Sequence, residues 1–212
     1  MTEYRRTDDG IETPEREVRR ISKLELRTDE ATGNPVLEGY ATVYDYRYDL
    51  AGGPDAGGFT EVIARGATAK SAQEADVRLL VNHDGIPLAR TKSGTLSLES
   101  DDIGLKVRAE LDPANPVAAE VRSAMERGDM DQMSFAFKVL RQEWSEDYTL
   151  RTISEVKLYD VSVVTYPANP ATVVKLRSDD DQPEQAEQKP AAGRSLAMAR
   201  RQAEADKSRR RP

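Results

Sequence analysis

Along much of the first 165 residues, apolar side chains fall at every second position, the spacing of half-buried strands rather than of helices. Val18, Arg20, Ser22, Leu24 and Leu26 alternate with Arg19, Ile21, Lys23 and Glu25, a mixed strand pattern. Thr32-Gly33-Asn34-Pro35 reads as a turn and Val36 to Tyr44 as a second strand, which predicts a hairpin. Residues 50–58 hold four glycines and form a polar loop, after which Phe59 to Ile63 resumes order and Ala67 to Ala75 suits a short helix. Val77 to Asn82 is an apolar, buried-type strand. Thr91 to Glu99 and Gly104 to Leu111 both alternate, and the intervening Ser100-Asp101-Asp102 makes them a meander. Pro116 to Glu126 predicts a helix, with Asn115 as N-cap, Pro116 in its first position and Gly128 as its stop. Met133 to Leu140 and Leu150 to Thr165 are the last strands; Pro167-Ala168-Asn169-Pro170 breaks the pattern, and Ala171 to Leu176 suits one more short element. The fold class is therefore mainly β with a few helices (α+β), and so many short strands predict a barrel or closed sheet.

Composition bounds this picture. A chain of 212 residues suits one domain with tails: a flexible segment at 1–17, a body at 18–177 and a low-complexity charged tail at 178–212. Arg194 to Lys207 in that tail has amphipathic helical spacing. No apolar run approaches 18 residues, so no membrane span is expected, and the N-terminus lacks the apolar stretch of a secretory signal. The absence of cysteine excludes disulfides, thiolate metal sites and thiol nucleophiles, and favours a cytoplasmic protein. The net charge is −7, but the tail holds eight Lys/Arg against seven Asp/Glu, which leaves −8 on the body. That argues against nucleic-acid binding by the folded part.

Candidate chemistry centres on the only histidine, His83, at the polar end of Leu79-Leu80-Val81-Asn82. Imidazole is the side chain that ordinarily titrates near neutrality, so it is the natural base. Ser134 follows 51 residues later within Met133-Ser134-Phe135-Ala136-Phe137, and Asp160 26 beyond that. Alternation turns Phe135, Phe137 and Val139 inwards and leaves Ser134, Ala136 and Lys138 on a wet face, where a nucleophile needs to be. Ser162 has similar local credentials. By alternation Asp160 shares a strand face with Val156, Leu158 and Val164, where a carboxylate needs a partner such as an imidazole, but Tyr159, Val161 and Val163 are also apolar and leave the facing open. Glu155 is the alternative third member, and a Ser134–Lys138 dyad is a rival arrangement. Loss of activity on acidification around pH 6–7 would point to the imidazole, a higher pKa to lysine. One histidine without cysteine cannot build a zinc site of the usual kinds, and no glycine-rich phosphate loop is present, so neither metal nor cofactor is expected.

Five blocks taken together carry a resemblance: Leu37-Glu38-Gly39-Tyr40-Ala41, Phe59 to Ile63 with Gly66-Ala67, Leu80 to Asp84, Met133 to Phe137, and Asp160 to Pro170. In this order they resemble the tailed-phage (caudovirus) prohead serine protease family, related to herpesvirus assemblin. The resemblance implies a herpesvirus-protease-like closed β-barrel flanked by short helices, a serine nucleophile, a histidine base and a third polar residue. Block by block that triad is Ser134, His83 and Asp160, with Asp160 where the herpesvirus enzymes carry a second histidine. It implies oxyanion donors on the loop after the last strand, here Ala168 or Asn169 because the flanking prolines lack N–H groups. It further implies a capsid-maturation endopeptidase in the host cytoplasm, packaged inside the immature capsid. Such an enzyme would cut scaffold protein or the scaffolding segment of the major capsid protein, then itself near the start of residues 178–212. A homodimer follows by analogy with the herpesvirus enzymes. The competing reading is a non-catalytic β-barrel serving as a scaffolding or assembly module.

Overall fold

The structure, a computed structural model, describes residues 5–7, 10–12 and 16–165. Two short strands, β1 (Arg5–Thr7) and β2 (Gly10–Glu12), pair antiparallel as a separate ribbon within the segment expected to be flexible. The predicted hairpin is β3 (Glu17–Thr28) and β4 (Pro35–Val43). Its turn is built by Asp29, whose Oδ1 accepts the N–H groups of Ala31 and Thr32 at 3.0 Å, before Gly33 at φ +73°. There follow β5 (Arg47–Leu50), β6 (Phe59–Ile63), helix α1 (Ala69–Glu74), β7 (Arg78–Val81) and β8 (Asp84–Arg90). The chain continues through β9 (Leu96–Ser100), β10 (Gly104–Glu110), α2 (Pro116–Glu126), β11 (Gln132–Trp144) and β12 (Leu150–Val164). Helix α2 begins as expected, with the Asn115 side chain accepting from Val117 N–H at 3.0 Å.

Strands β3 to β12 form one ten-stranded sheet, ordered β5-β6-β12-β11-β3-β4-β10-β9, with β7 on β12 and β8 on β7. The last strand among the described residues, β12, thus lies centrally, parallel to β6 and β7 and antiparallel to β11. The sheet curls strongly. Helix α1, only six residues long, packs against both β12 and β9, which are five strands apart in the ladder. Leu37, Leu79, Leu105, Phe135, Phe137 and Ile153, from five different strands, meet in one core cluster.

The closed barrel expected from sequence needs correcting. Among the described residues no ladder joins β9 back to β8 or β5, so the sheet is curled but open. The reason lies at the seam, where α1 sits between β9 and β12. The hydrogen bonds there run elsewhere: Thr91 N–H to Val77 O, Arg90 N–H to Thr95 Oγ1, and Glu110 N–H to Thr95 O.

β5 and β8 were not anticipated. β5 has only four residues, of which one, Tyr48, is buried. The first four residues of β8, Asp84-Gly85-Ile86-Pro87, are all exposed and include a glycine and a proline, which hides any strand pattern. The tail at 178–212 and the elements expected at Ala171–Leu176 and Arg194–Lys207 lie outside the described residues.

Candidate active site

β11 and β12 pair with Ser134 opposite Ser162 and Ala136 opposite Asp160. Directly opposed residues share a face, so Ser134, Ser162 and Asp160 gather on one side of the sheet. Met133, Phe135 and Phe137, opposite Val163, Val161 and Leu158, form the core side. Simple alternation along β12 would put Asp160 on the core side with Leu158. A one-residue irregularity prevents this: Phe137 pairs with Leu158 and Ala136 with Asp160, so Tyr159 is the extra residue and facing inverts beyond it. The facing of Asp160, open in the sequence, is thus on the side away from Leu158.

His83 reaches this face from a different element. Sequence alternation treated it as the end of a strand, but Asn82 and His83 are the two turn residues between β7 and β8, with Val81 opposite Asp84. Both have positive φ, 51° and 63°, as a two-residue type I′ hairpin turn requires. Asn suits that conformation; for His it costs on the order of 1 kcal/mol. Four hydrogen bonds hold the turn: Asn82 N–H to Val163 O at 2.9 Å, Thr165 N–H and Oγ1–H to Asn82 Oδ1 at 3.1 and 3.2 Å, and His83 N–H to Ser162 Oγ at 3.1 Å.

The result is a continuous chain of polar atoms. His83 Nε2 lies 2.7 Å from Ser134 Oγ, and His83 Nδ1 lies 2.5 Å from Asp160 Oδ1. Arg16 Nη2 donates to Asp160 Oδ2 at 2.7 Å, and Ser162 Oγ donates to Oδ1 at 3.0 Å. Burial opposes ionisation of Asp160, but the hydrogen bonds from His83, Arg16 and Ser162 outweigh it and hold the carboxyl below its ordinary range. With Nδ1–H directed at a carboxylate, Nε2 is left as the acceptor facing the serine hydroxyl. A hydroxyl, a base and an orienting acid in this geometry can carry out nucleophilic acyl transfer.

Ser134 is not on a wet face. It is fully buried, as is Ala136 beside it: the His83 ring lies against Ser134 Oγ, and β3 flanks β11 in the sheet. Ser134 Oγ also lies 2.8 Å from the carbonyl oxygen of Arg19. One hydroxyl proton thus has two acceptors, Nε2 of His83 and Arg19 O, and serves one at a time.

β3 is pinned there from the core side. Glu17 and Arg19 are buried with Glu61 of β6 and Arg151 of β12 in a four-charge cluster. Arg151 Nη1 bridges Glu17 and Glu61 at 2.7 and 2.8 Å.

The other sequence candidates separate cleanly. Glu155 pairs with Arg141 at 3.4 Å, not with His83. Lys138 stands opposite Lys157, further along β11, and the hydrogen bonds of Ser134 run to His83 and Arg19 instead. Ala168 and Asn169 lie outside the described residues. Among the described residues no cluster of His, Cys, Asp or Glu suits a metal ion, and no helix is long and apolar enough to cross a membrane. Sequence reasoning missed the roles of Arg16 and of the Arg19 carbonyl; a main-chain atom has no residue-type signal to find.

Comparison with known proteins adds a family context. The model of the caudovirus prohead serine protease family matches residues 22–186. The prohead protease of Enterobacteria phage HK97 is 32% identical over 149 residues, which cover 68% of this chain and 61% of that protein. The prohead protease of Escherichia phage T5 is 30% identical over 74 residues, 35% of this chain and 34% of its own length. Among solved structures, the bacteriophage T4 capsid assembly protease, gp21, superposes with a TM-score of 0.45 at 10% identity, covering 72% of this chain and 98% of that one.

Proposed function

This chain belongs to the caudovirus prohead serine protease family, and we propose that it is a capsid-maturation serine endopeptidase with Ser134 as nucleophile, His83 as base and Asp160 as orienting acid. The observation that carries the reading is the 2.7 Å approach of His83 Nε2 to Ser134 Oγ, made by segments 51 residues apart. In the first step Nε2 takes the hydroxyl proton as Oγ attacks the scissile carbonyl. Asp160 stabilises the imidazolium that forms and holds the ring's tautomer. The imidazolium then protonates the leaving amine, the C–N bond breaks and an acyl-serine remains. Water, deprotonated by the same nitrogen, attacks the ester, and Oγ recovers its proton as the acid product leaves. Backbone N–H groups of Ala168 or Asn169 remain the proposed donors to the oxyanion.

The substrate class follows the relatives, which are prohead proteases by name. The proposed substrate is the scaffold protein or the scaffolding segment of the major capsid protein, cut inside the prohead in the host. Self-cleavage near the start of residues 178–212, a polar segment with acidic and basic runs, is part of the proposal. Co-expression with the phage's capsid protein, wild type against Ser134→Ala, read by mass spectrometry of both chains, tests this. We expect truncated capsid protein and loss of the tail with wild type, and full masses for both with the variant. Identical masses in the two cultures would favour a non-catalytic assembly module.

A further inference from the structure

We propose that Ser162 is a positioning residue of this site, locking the Asp160 carboxylate and the His83 turn into one arrangement; the proposal rests on the proteolytic reading above. Ser162 is fully buried, directly opposite Ser134 in the ladder. Its hydroxyl meets three polar atoms: His83 N at 3.1 Å, Asp160 Oδ1 at 3.0 Å and His83 Nδ1 at 3.2 Å. A hydroxyl has one proton and two lone pairs. A carboxylate only accepts, so the Ser162 proton goes to Asp160. The lone pairs are then left to face the main-chain N–H of His83 and its ring Nδ1–H.

This arrangement has a consequence for the base. The ring is placed by its backbone, and that backbone sits in a positive-φ turn that an L-residue adopts at a cost. Asp160 fixes the ring's rotation and tautomer but does not touch the turn's amide. Ser162 touches both, so it couples the position of the turn to that of the carboxylate. Without it, the His83 amide loses its partner in a part-buried place and the distance from Nε2 to Ser134 loses one of its restraints. Ser162 never contacts the scissile bond, so the chemical step suffers while substrate binding does not.

The test uses the full chain. Steady-state cleavage of the capsid protein by Ser162→Ala is expected to show kcat reduced roughly 10- to 100-fold, the loss of one buried hydrogen bond set to a charged group, with KM within about twofold. Ser162→Thr, which restores the hydroxyl, is expected to recover much of that loss. A second readout needs no turnover: His83 is the only histidine, so its ring Nδ1–H gives a single downfield proton resonance. In the Ser134→Ala background that resonance is expected to be present, and adding Ser162→Ala should shift or broaden it. Ser162→Cys, nearly the same size with a weak donor, stands in should the alanine variant not fold. Unchanged kcat and an unchanged resonance in the Ala or Cys variant would overturn the proposal. If wild type cleaves nothing, the proteolytic reading falls, and the resonance alone decides whether Ser162 holds His83.

Discussion

Asp160 accepts from His83, from Arg16 and from Ser162, so its negative charge is needed by three partners at once. Replacing it by asparagine keeps the shape but removes the charge and allows the wrong imidazole tautomer. We expect Asp160→Asn to lower kcat by about 10⁴-fold, measured on a cleavable capsid peptide. The same carboxyl has its folded pKa depressed, so it contributes stability above its unfolded pKa, near 3.9, and loses it as pH falls through the lower folded value. Urea unfolding should therefore find Asp160→Asn destabilised by about 1–3 kcal/mol at pH 7, with the gap from wild type closing below about pH 4. At this scale the sequence was informative about identity and less so about setting. The single histidine made His83 conspicuous, and the block order pointed to Ser134 and Asp160. Ser162 looked like a rival nucleophile because a strand serine has the same local pattern whether it attacks or supports. The face of Asp160 stayed open because both sets of neighbours on its strand are apolar, and the extra residue that decides it, Tyr159, bears no mark of doing so.

The turn between β7 and β8 and the first half of β3 are the two elements that supply the hydrogen-bond partners of Ser134. Asn82-His83 is a poor textual cue for a tight hairpin, where Asn-Gly is the usual one, and this hid both the turn and β8. The β3 flank holds on through Arg16, an ion pair with 45% of the arginine side chain exposed and therefore weak by itself. Arg16→Ala is expected to raise the rate at which a fluorophosphonate labels Ser134 by a few-fold, measured by mass shift, without altering the thermal midpoint beyond about 2 °C. A different element shows how closely strands approach: a Cβ on Gly104 would lie 1.9 Å from the carbonyl oxygen of Thr42. Gly104→Ala should force β10 away from β4 and cost at least about 1–3 kcal/mol in chemical denaturation.

At the scale of the whole molecule, the strand order explains why local patterns did not reveal the architecture. Individual strands such as Phe59–Ile63 and the helix Pro116–Glu126 were legible to the residue, since periodicity and capping are local. That β12 would enter the middle of the sheet, parallel to β6 and β7, depends on pairings over long separations, and so does the open seam beside α1. The buried cluster of Glu17, Arg19, Glu61 and Arg151 ties β3, β6 and β12 together behind the site. Arg151→Ala would leave two buried carboxylates with one arginine, and is expected to cost about 3–5 kcal/mol in urea. The cap on Ser134 draws on this same fastening, and it is made by a carbonyl group. Every amino acid brings the same carbonyl, so a change of side chain at position 19 removes no atom of the cap and reaches it only by loosening the charge cluster that fastens the strand. Restraint of this kind is released by bending or removing the stretch of backbone that carries it.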